Sequence, residues 1–134
     1  MNAGHEVHHR KKRILAVDDD GLVRKSLEIL LREAGYEASV ASGGQEALGY
    51  LVQRHFDLLI TDIRMPGMDG LQVIQAVRDY TREMKREPIP EIVLTAYNDE
   101  HVRASAERLG VREFLLKPFK MDEFLKALER NLSR

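Results

Sequence analysis

Apolar residues along the chain form short continuous runs that alternate with longer stretches of helical repeat. The runs are 14–17, 58–61, 92–95 and 114–116, with a weaker alternating run over 36–41. Runs of about four to eight residues bounded by turn residues are typical of buried strands. The pattern therefore predicts five strands.

Between these runs, apolar residues recur every three or four positions, as on one face of a helix. The five stripes are Val23, Leu27, Leu30, Leu31 and Ala34; Ala47, Leu48, Leu51 and Val52; Leu71, Ile74 and Val77; Val102, Ala106 and Leu109; and Met121, Phe124, Leu125, Leu128 and Leu132. Ser42 and Gln45 fit a capping box that opens the second helix. Gly35 is placed to end the first helix, and Pro88 and Pro90 to end the third.

The chain is thus predicted to be an α/β protein with five strand–helix pairs, (βα)5. Strands that alternate with helices pair in parallel through right-handed crossovers, and strands apolar throughout are buried on both faces. Five strands are too few for a closed barrel, which needs eight. We expect an open, doubly wound five-stranded parallel sheet with the flavodoxin-like order 2-1-3-4-5. Residues 1–12 are polar and aperiodic, which predicts a flexible N-terminal tail before one domain over 13–134.

Composition narrows the class of protein. The 134 residues include no Cys, which excludes disulfides and thiolate metal sites and fits a reducing compartment. No apolar run approaches the roughly 18 residues of a membrane span, and the polar N-terminus is no signal peptide, so we expect a cytoplasmic protein without membrane contact. The net charge of −1 does not mark a nucleic-acid binder. The basic cluster Arg10–Arg13 is interpreted as solvated.

Polar residues follow four of the predicted strands. They are Asp18, Asp19 and Asp20 after the first strand, Asp62 after the third, Thr95 at the end of the fourth and Lys117 after the fifth. Because parallel strands about 4.8 Å apart end at one edge, these groups should converge within roughly 10 Å. Asp62 alone is equally compatible with a turn cap, and Asp20 is the candidate cap of the first helix. Their joint placement favours a functional site.

Clustered carboxylates repel one another unless a cation intervenes. An oxygen-only donor set suits Mg²⁺, and no His or Cys is among these converging residues, which argues against zinc. With a metal, the Lys117 ammonium and the Thr95 hydroxyl could stabilise a transferred phosphoryl group. Asp62 is then the natural nucleophile, since carboxylates form aspartyl phosphates.

Four motifs in order give the chain a clear resemblance to the receiver domain of two-component response regulators. They are Val17-Asp18-Asp19, Thr61-Asp62-Ile63-Arg64-Met65-Pro66-Gly67-Met68-Asp69-Gly70, Leu94-Thr95-Ala96 and Lys117-Pro118-Phe119, and the resemblance covers about residues 13–133.

The resemblance implies a role for each site residue. Asp62 would accept a phosphoryl group from a sensor histidine kinase or a phosphotransfer protein. Asp18, Asp19, Asp62 and the backbone carbonyl of Arg64 would hold Mg²⁺. Thr95 and Lys117 would contact the phosphoryl oxygens. The Lys117–Pro118 bond would be cis, as only X–Pro bonds readily are.

The resemblance also implies a switch. Thr95 would sense the phosphate, and Phe114, at the switch-aromatic position, would rotate into the space that Thr95 leaves; from the residues alone Phe114 could equally be ordinary core. The face of the fourth helix, fifth strand and fifth helix would then control a downstream effector domain or protein, and could form a homodimer.

The large side chains of Arg64 and Tyr97 should slow self-dephosphorylation. We expect no direct nucleic-acid contact by this domain.

Other classes fit less well. Haloacid-dehalogenase-type phosphatases need a second Asp two residues after the nucleophile, where this chain has Arg64. Gly43-Gly44 is not a nucleotide-binding phosphate loop. A degenerate receiver acting as a phosphorylation-independent binding module remains an alternative. We expect no turnover enzyme, only a domain that catalyses its own phosphorylation and dephosphorylation. A stand-alone regulator and a piece of a longer one are both open.

Overall fold

The computed structural model describes residues 10–96, 100–111 and 113–132. Strands and helices alternate along the chain. In order they are β1 (Arg13–Val17), α1 (Gly21–Glu33), β2 (Glu37–Ala41), α2 (Gly44–Gln53), β3 (Leu58–Asp62), α3 (Gly70–Glu83), β4 (Glu91–Thr95), α4 (Glu100–Arg108), β5 (Glu113–Leu116) and α5 (Met121–Leu132).

The five strands form one parallel sheet in the order β2-β1-β3-β4-β5. This confirms the predicted fold class and strand order. β1 lies beside β3 with Val17 opposite Thr61, and β4 lies beside β5 with Thr95 opposite Leu116. The carboxyl ends of β1, β3, β4 and β5 therefore lie at one edge of the sheet.

Helices cover both faces of the sheet, because successive side chains of a strand point to opposite faces. Ile14 and Ala16 of β1 pack with the buried side chains of α1 and α5. Leu15 and Val17 pack on the other face with those of α2, α3 and α4. Strands buried on both faces are apolar throughout, which is why the sequence marks them as continuous runs.

The ends of α1 match the sequence prediction, but the start of α2 does not. The Asp20 carboxylate accepts hydrogen bonds from the N–H groups of Leu22 and Val23, which confirms it as the N-cap of α1. The predicted capping box of Ser42 and Gln45 is wrong. Gly43 is the N-cap of α2, and the N–H and hydroxyl of Ser42 both donate to Glu46, at 2.6 and 3.1 Å. Starting the helix one residue later brings Glu46 into reach.

The end of α3 also differs from the prediction. The helix stops at Glu83, ahead of Pro88 and Pro90. Lys85 adopts a left-handed conformation with φ of 56°. The N–H of Arg86 then donates to the carbonyl of Thr81 at 2.8 Å, the bond that closes a Schellman-type end. The turn, and not the prolines, terminates the helix.

Four apolar residues predicted to face the core are exposed, and one of them is Ala34 at the end of α1. Val52 is 59% exposed, Met121 47% and Leu125 37%. On α5 the buried stripe includes Ala127, which the prediction passed over. The true core-facing stripes are narrower than the apolar residues alone suggest, since helices of a small domain also carry apolar residues at their edges.

The described part of the chain starts at Arg10, three residues before β1. Arg10, Lys11 and Lys12 are outside regular structure, and the Lys12 carbonyl accepts a hydrogen bond from the N–H of Glu37 at 2.9 Å. The rest of the predicted tail, residues 1–9, lies outside the described residues. Among the helices described, none is both long and apolar enough to span a bilayer.

Candidate functional site

Three carboxylates meet where β1 and β3 end. Asp18 and Asp19 directly follow β1, and Asp62 is the last residue of β3. Each of the three carboxylates has an oxygen within 4.8 Å of the others. Asp18 is buried, Asp62 is half-buried and Asp19 is exposed. The three carboxylates thus converge at this edge as the sequence predicted, with a buried inner carboxylate and an exposed outer one.

Lys117, the residue directly after β5, joins this cluster. Its Nζ lies 3.0 Å from Asp18 Oδ2 and 3.1 Å from Asp62 Oδ2. The backbone N–H of Lys117 donates to the carbonyl of Thr95 at 2.8 Å, and the Lys117–Pro118 peptide bond is cis, which confirms that prediction. The convergence of Lys117 with the carboxylates is therefore present, as expected.

Every polar group of Asp18 has a partner. Its N–H donates to Ala41, its carbonyl accepts from the guanidinium of Arg24 at 2.8 Å, and its Oδ1 accepts from the N–H of Asp20 at 2.9 Å. With Lys117 on Oδ2, the residue is fixed in place. Sequence reasoning missed Arg24, because its contact depends on how the β1–α1 turn brings that carbonyl over α1.

The electrostatics of the site keep Lys117 charged and make Asp62 harder to ionise than an exposed carboxyl group. Burial raises the pKa of Asp62 above its ordinary value, while the hydrogen bond and charge of Lys117 oppose the rise. Burial alone would lower the pKa of Lys117, but its hydrogen bonds to Asp18 and Asp62 outweigh that effect and raise it. Lys117 therefore stays protonated between the two carboxylates.

The loop after Asp62 is held by the start of α3. The carboxylate of Asp69 accepts from the N–H of Gln72, and the side chain of Gln72 accepts from the N–H of Asp69, both at 2.9 Å. The N–H of Gly70 donates to the carbonyl of Ile63 at 2.8 Å. This capping box was missed, although an Asp followed three residues later by a Gln is its usual signal.

The remaining predicted site residues lie around this centre. Arg64 is exposed on the β3–α3 loop, and its carbonyl as a metal ligand stays a prediction. Thr95 is buried at the end of β4. Phe114 is half-buried on β5, and the guanidinium carbon of Arg103 lies 5.0 Å from the centre of its ring. Tyr97 lies outside the described residues.

The donor set fits a hard divalent cation. All three clustered side chains are carboxylates, and they stand against one ammonium, so the site carries an excess of negative charge. Within the described ranges, no other group of three or more acidic, His or Cys side chains is spaced closely enough to hold an ion. Oxygen donors with an open side are what Mg²⁺ prefers.

Comparison with known proteins assigns the family. The family model described as "Response regulator receiver domain" matches residues 14–129. The chain belongs to this family. Receiver domains are modules of signalling proteins and not a classical enzyme family.

Relatives of known structure share the whole receiver fold. The Vibrio cholerae chemotaxis protein CheY4 is 32% identical with a TM-score of 0.82, over 92% of this chain and 100% of that protein. The Thermotoga maritima response regulator TrrA, solved in complex with Mg²⁺ and BeF, is 36% identical with a TM-score of 0.77, over 90% and 99% of the two chains.

Among curated proteins, the Salmonella typhimurium DNA-binding transcriptional regulator NtrC is 37% identical over 121 residues, which is 90% of this chain. The chain spans about a quarter of that regulator's length, 24%. The receiver domain thus matches one part of a longer regulator as well as the full length of a shorter one.

Proposed function

We propose that this receiver domain accepts a phosphoryl group on Asp62, from a sensor histidine kinase or a phosphotransfer protein, in a Mg²⁺-dependent reaction. The observation that carries the proposal is the convergence of the carboxylates of Asp18, Asp19 and Asp62 with the Lys117 ammonium. A carboxylate that serves only as a turn cap does not require two further carboxylates and an ammonium group beside it.

The chemistry is a transfer between two nucleophiles. One oxygen of the Asp62 carboxylate forms a bond to phosphorus while the bond from phosphorus to the donor histidine nitrogen breaks. The bonding electrons remain on that nitrogen. Asp62 must be ionised to attack, and the neighbouring Lys117 charge favours its ionised form against the effect of burial.

Lys117 and Thr95 would stabilise the transferred group. The Lys117 ammonium carries three donors and lies 3.1 Å from Asp62 Oδ2, so it can turn from that oxygen to a phosphoryl oxygen bonded nearby. The Thr95 hydroxyl is carried on the same edge, at the end of β4. Fixed donors aimed at developing charge are the main source of stabilisation in such transfers.

Mg²⁺ would be held by Asp18, Asp19 and Asp62, with the carbonyl of Arg64 completing the protein ligands. When bound, the metal supplies positive charge that neutralises the phosphoryl oxygens. The relative TrrA, solved in complex with Mg²⁺ and BeF, supports Mg²⁺ binding at this cluster. Arg24 and Asp20 keep Asp18 in position for this role.

The output would pass through the face made by α4, β5 and α5. We propose that Thr95 moves toward the phosphate and that Phe114 rotates into the vacated space, which alters this face for a downstream protein or effector domain. The two residues lie on neighbouring strands. Phe114 of β5 is paired with Val93 of β4, and Thr95 follows Val93 two residues later on β4. The same face is the candidate surface for a homodimer.

The test is phosphorylation by a small-molecule donor. Purified protein is incubated with acetyl phosphate and Mg²⁺, and intact-mass spectrometry measures addition of one phosphoryl group. We expect addition to the wild type, none to Asp62→Asn, and none when EDTA replaces Mg²⁺. The control Asp79→Asn removes an exposed carboxylate on α3 and should be labelled like the wild type. Equal labelling of Asp62→Asn would place the acceptor elsewhere. A folded wild type that is never labelled would favour the degenerate, phosphorylation-independent receiver.

A further inference from the structure

A second charged cavity lies at the opposite edge of the sheet. It has a volume of about 330 Å³ and is formed where β1 and β2 begin and where α1 and α2 end. Its charged and polar lining includes Lys11, Arg13, Arg32, Arg54, Tyr36 and Glu37. A five-residue strand separates the two edges by about 15 Å, so this basic-edge cavity is distinct from the Asp62 site.

Two of its four cations are already compensated. Arg13 Nε lies 3.2 Å from Glu37 Oε1, and Arg32 Nη2 lies 2.8 Å from Glu28 Oε2. Because each of these cations already faces a carboxylate, the two pairs add little attraction for a further anion.

The other two cations have no carboxylate partner within the described ranges. Arg54 donates one hydrogen bond, to Ser39 Oγ at 3.4 Å, and lies over the ring of Tyr50 at 5.7 Å. A guanidinium has five donors and an ammonium three, so Arg54 and Lys11 keep most of theirs for a ligand. The cavity therefore presents two uncompensated positive charges.

The rest of the lining suits a small ligand. The hydroxyl of Tyr36, which lines the cavity, is protonated at neutral pH and can donate a hydrogen bond; burial and the charge of Glu129 raise its pKa further. Phe56 is 7% exposed and supplies an apolar wall. Ligand cavities combine apolar walls with a few polar groups and begin at about 300 Å³, which places this cavity at the small end of that range.

We propose that the basic-edge cavity binds a small phosphate monoester, whose dianionic phosphate lies between Lys11 and Arg54. Two negative charges match the two uncompensated cations, and charge-assisted hydrogen bonds to phosphate are the strong class. A nucleic acid would require a longer row of free cations, whereas Arg13 and Arg32 are already paired. The proposal is independent of phosphorylation at Asp62.

Isothermal titration calorimetry in EDTA tests this on the full chain, because removing divalent metal leaves the acidic site repelling anions. The probes are AMP as the monoester, inorganic phosphate, and adenosine as the uncharged counterpart. We expect AMP and phosphate to bind and adenosine not to bind. Phosphate binding as tightly as AMP would identify the free ion as the ligand source, while tighter AMP binding would identify a phosphorylated small molecule; both support the dianion site.

Variants separate this cavity from the rest of the surface. Lys11→Gln and Arg54→Gln should each weaken AMP binding roughly tenfold, as expected for loss of a hydrogen bond to a charged group. Arg54→Lys, which keeps the charge, should recover part of that loss. Arg82→Gln removes an exposed Arg on α3 and should bind AMP like the wild type.

Several outcomes would overturn the proposal. They are absence of AMP and phosphate binding by the wild type, unchanged binding by Lys11→Gln and Arg54→Gln, and equal weakening by Arg82→Gln. Tighter binding of a DNA duplex than of AMP would instead indicate a polyanion surface. Thermal unfolding of each variant establishes that it is folded before it is scored.

Discussion

Gly70, the first residue of α3, packs directly against the backbone of Asp62. A Cβ at position 70 would lie 2.9 Å from the carbonyl carbon of Asp62 and 2.9 Å from the Cα of Ile63. Real Cβ atoms are not found so close to backbone atoms, which cannot turn aside as a flexible side chain does. The start of α3 therefore fixes the backbone that carries the proposed acceptor.

The first prediction is that Gly70→Ala disturbs both the fold and the site. Inserting a methyl group into a tight contact costs about 1–3 kcal/mol of unfolding free energy. The backbone shift that relieves it moves Asp62, so the rate of phosphorylation by acetyl phosphate should also fall. Urea unfolding and the intact-mass assay measure the two effects.

Gly49→Ala is the matched control for Gly70→Ala. Gly49 lies inside α2, and nothing is within 4 Å of a Cβ built there. Ala in a helix interior is favoured over Gly by about 1 kcal/mol, so this variant should be more stable than the wild type and phosphorylated normally. A Gly70→Ala protein of wild-type stability and rate would show that the close contact is of no consequence.

The second prediction concerns Arg103 and the proposed switch. The guanidinium of Arg103 lies over the ring of Phe114 at 5.0 Å, and a cation–π contact at a partly exposed site is worth about 0.5–1 kcal/mol. Rotation of Phe114 inward must break this contact. Arg103→Gln should therefore raise the population of the rotated state about two- to fivefold.

A fluorine label on the ring of Phe114 reports that population by NMR, before and after addition of Mg²⁺ and beryllofluoride. Arg103 also lies 3.7 Å from Glu107, and Glu107→Gln removes this ion pair while leaving the cation in place. We expect Glu107→Gln to leave the population unchanged. If Arg103→Gln has no effect either, Arg103 does not restrain Phe114.

The third prediction is that Lys85→Gly stabilises the protein. Lys85 has a φ of 56° at the end of α3, a conformation that costs a residue with a Cβ about 1–2 kcal/mol but costs Gly nothing. Part of this gain is offset by the greater freedom of Gly in the unfolded chain, so we expect a net gain of about 0.5–1 kcal/mol.

Lys85→Ala is the control, because it removes the charged side chain and keeps the Cβ. Urea unfolding should find it close to the wild type. Stabilisation of equal size in Lys85→Ala would mean that the side chain, and not the backbone conformation, is responsible.

The fourth prediction concerns stability in acid. The hydrogen bond from Arg130 is the main cause that holds the pKa of Glu113 below its ordinary value of 4.5; burial opposes it and Asn131 adds to it. A carboxylate whose pKa is lower in the folded state stabilises that state above the ordinary value, and the contribution is lost as the pH falls through the folded value.

Glu113→Gln should therefore reduce the free energy of unfolding at pH 7 and flatten its decline below about pH 4.5. Urea unfolding between pH 7 and acid measures both effects. Arg130→Gln should produce the same flattening, since it removes the main cause of the shift. A pH profile of Glu113→Gln that parallels the wild type would contradict the assigned cause.

The sequence predicts the sheet well because its strands are buried on both faces. Continuous apolar runs such as Ile14–Val17 are typical of strands in the middle of a sheet that helices cover on both faces. Once the strands are parallel, the common position of Asp18, Asp62 and Lys117 follows, since parallel strands end at one edge.

Other features depend on distances that the pattern does not contain. The exposure of Met121 and Leu125 is set by how α5 lies on the sheet, and Ser42 pairs with Glu46 because α2 starts one residue later than expected. The backbones of Gly70 and Asp62 approach each other closely, and this contact cannot be predicted from the presence of a glycine alone.

The most direct measurement of the central claim locates the acyl phosphate itself. After reaction with acetyl phosphate and Mg²⁺, borohydride reduces an aspartyl phosphate to homoserine, and peptide mass spectrometry finds the residue that carries it. We predict homoserine at position 62 and at no other acidic residue, with none formed in EDTA. Homoserine at Asp19, Asp20 or Asp69 in place of Asp62 would contradict the account.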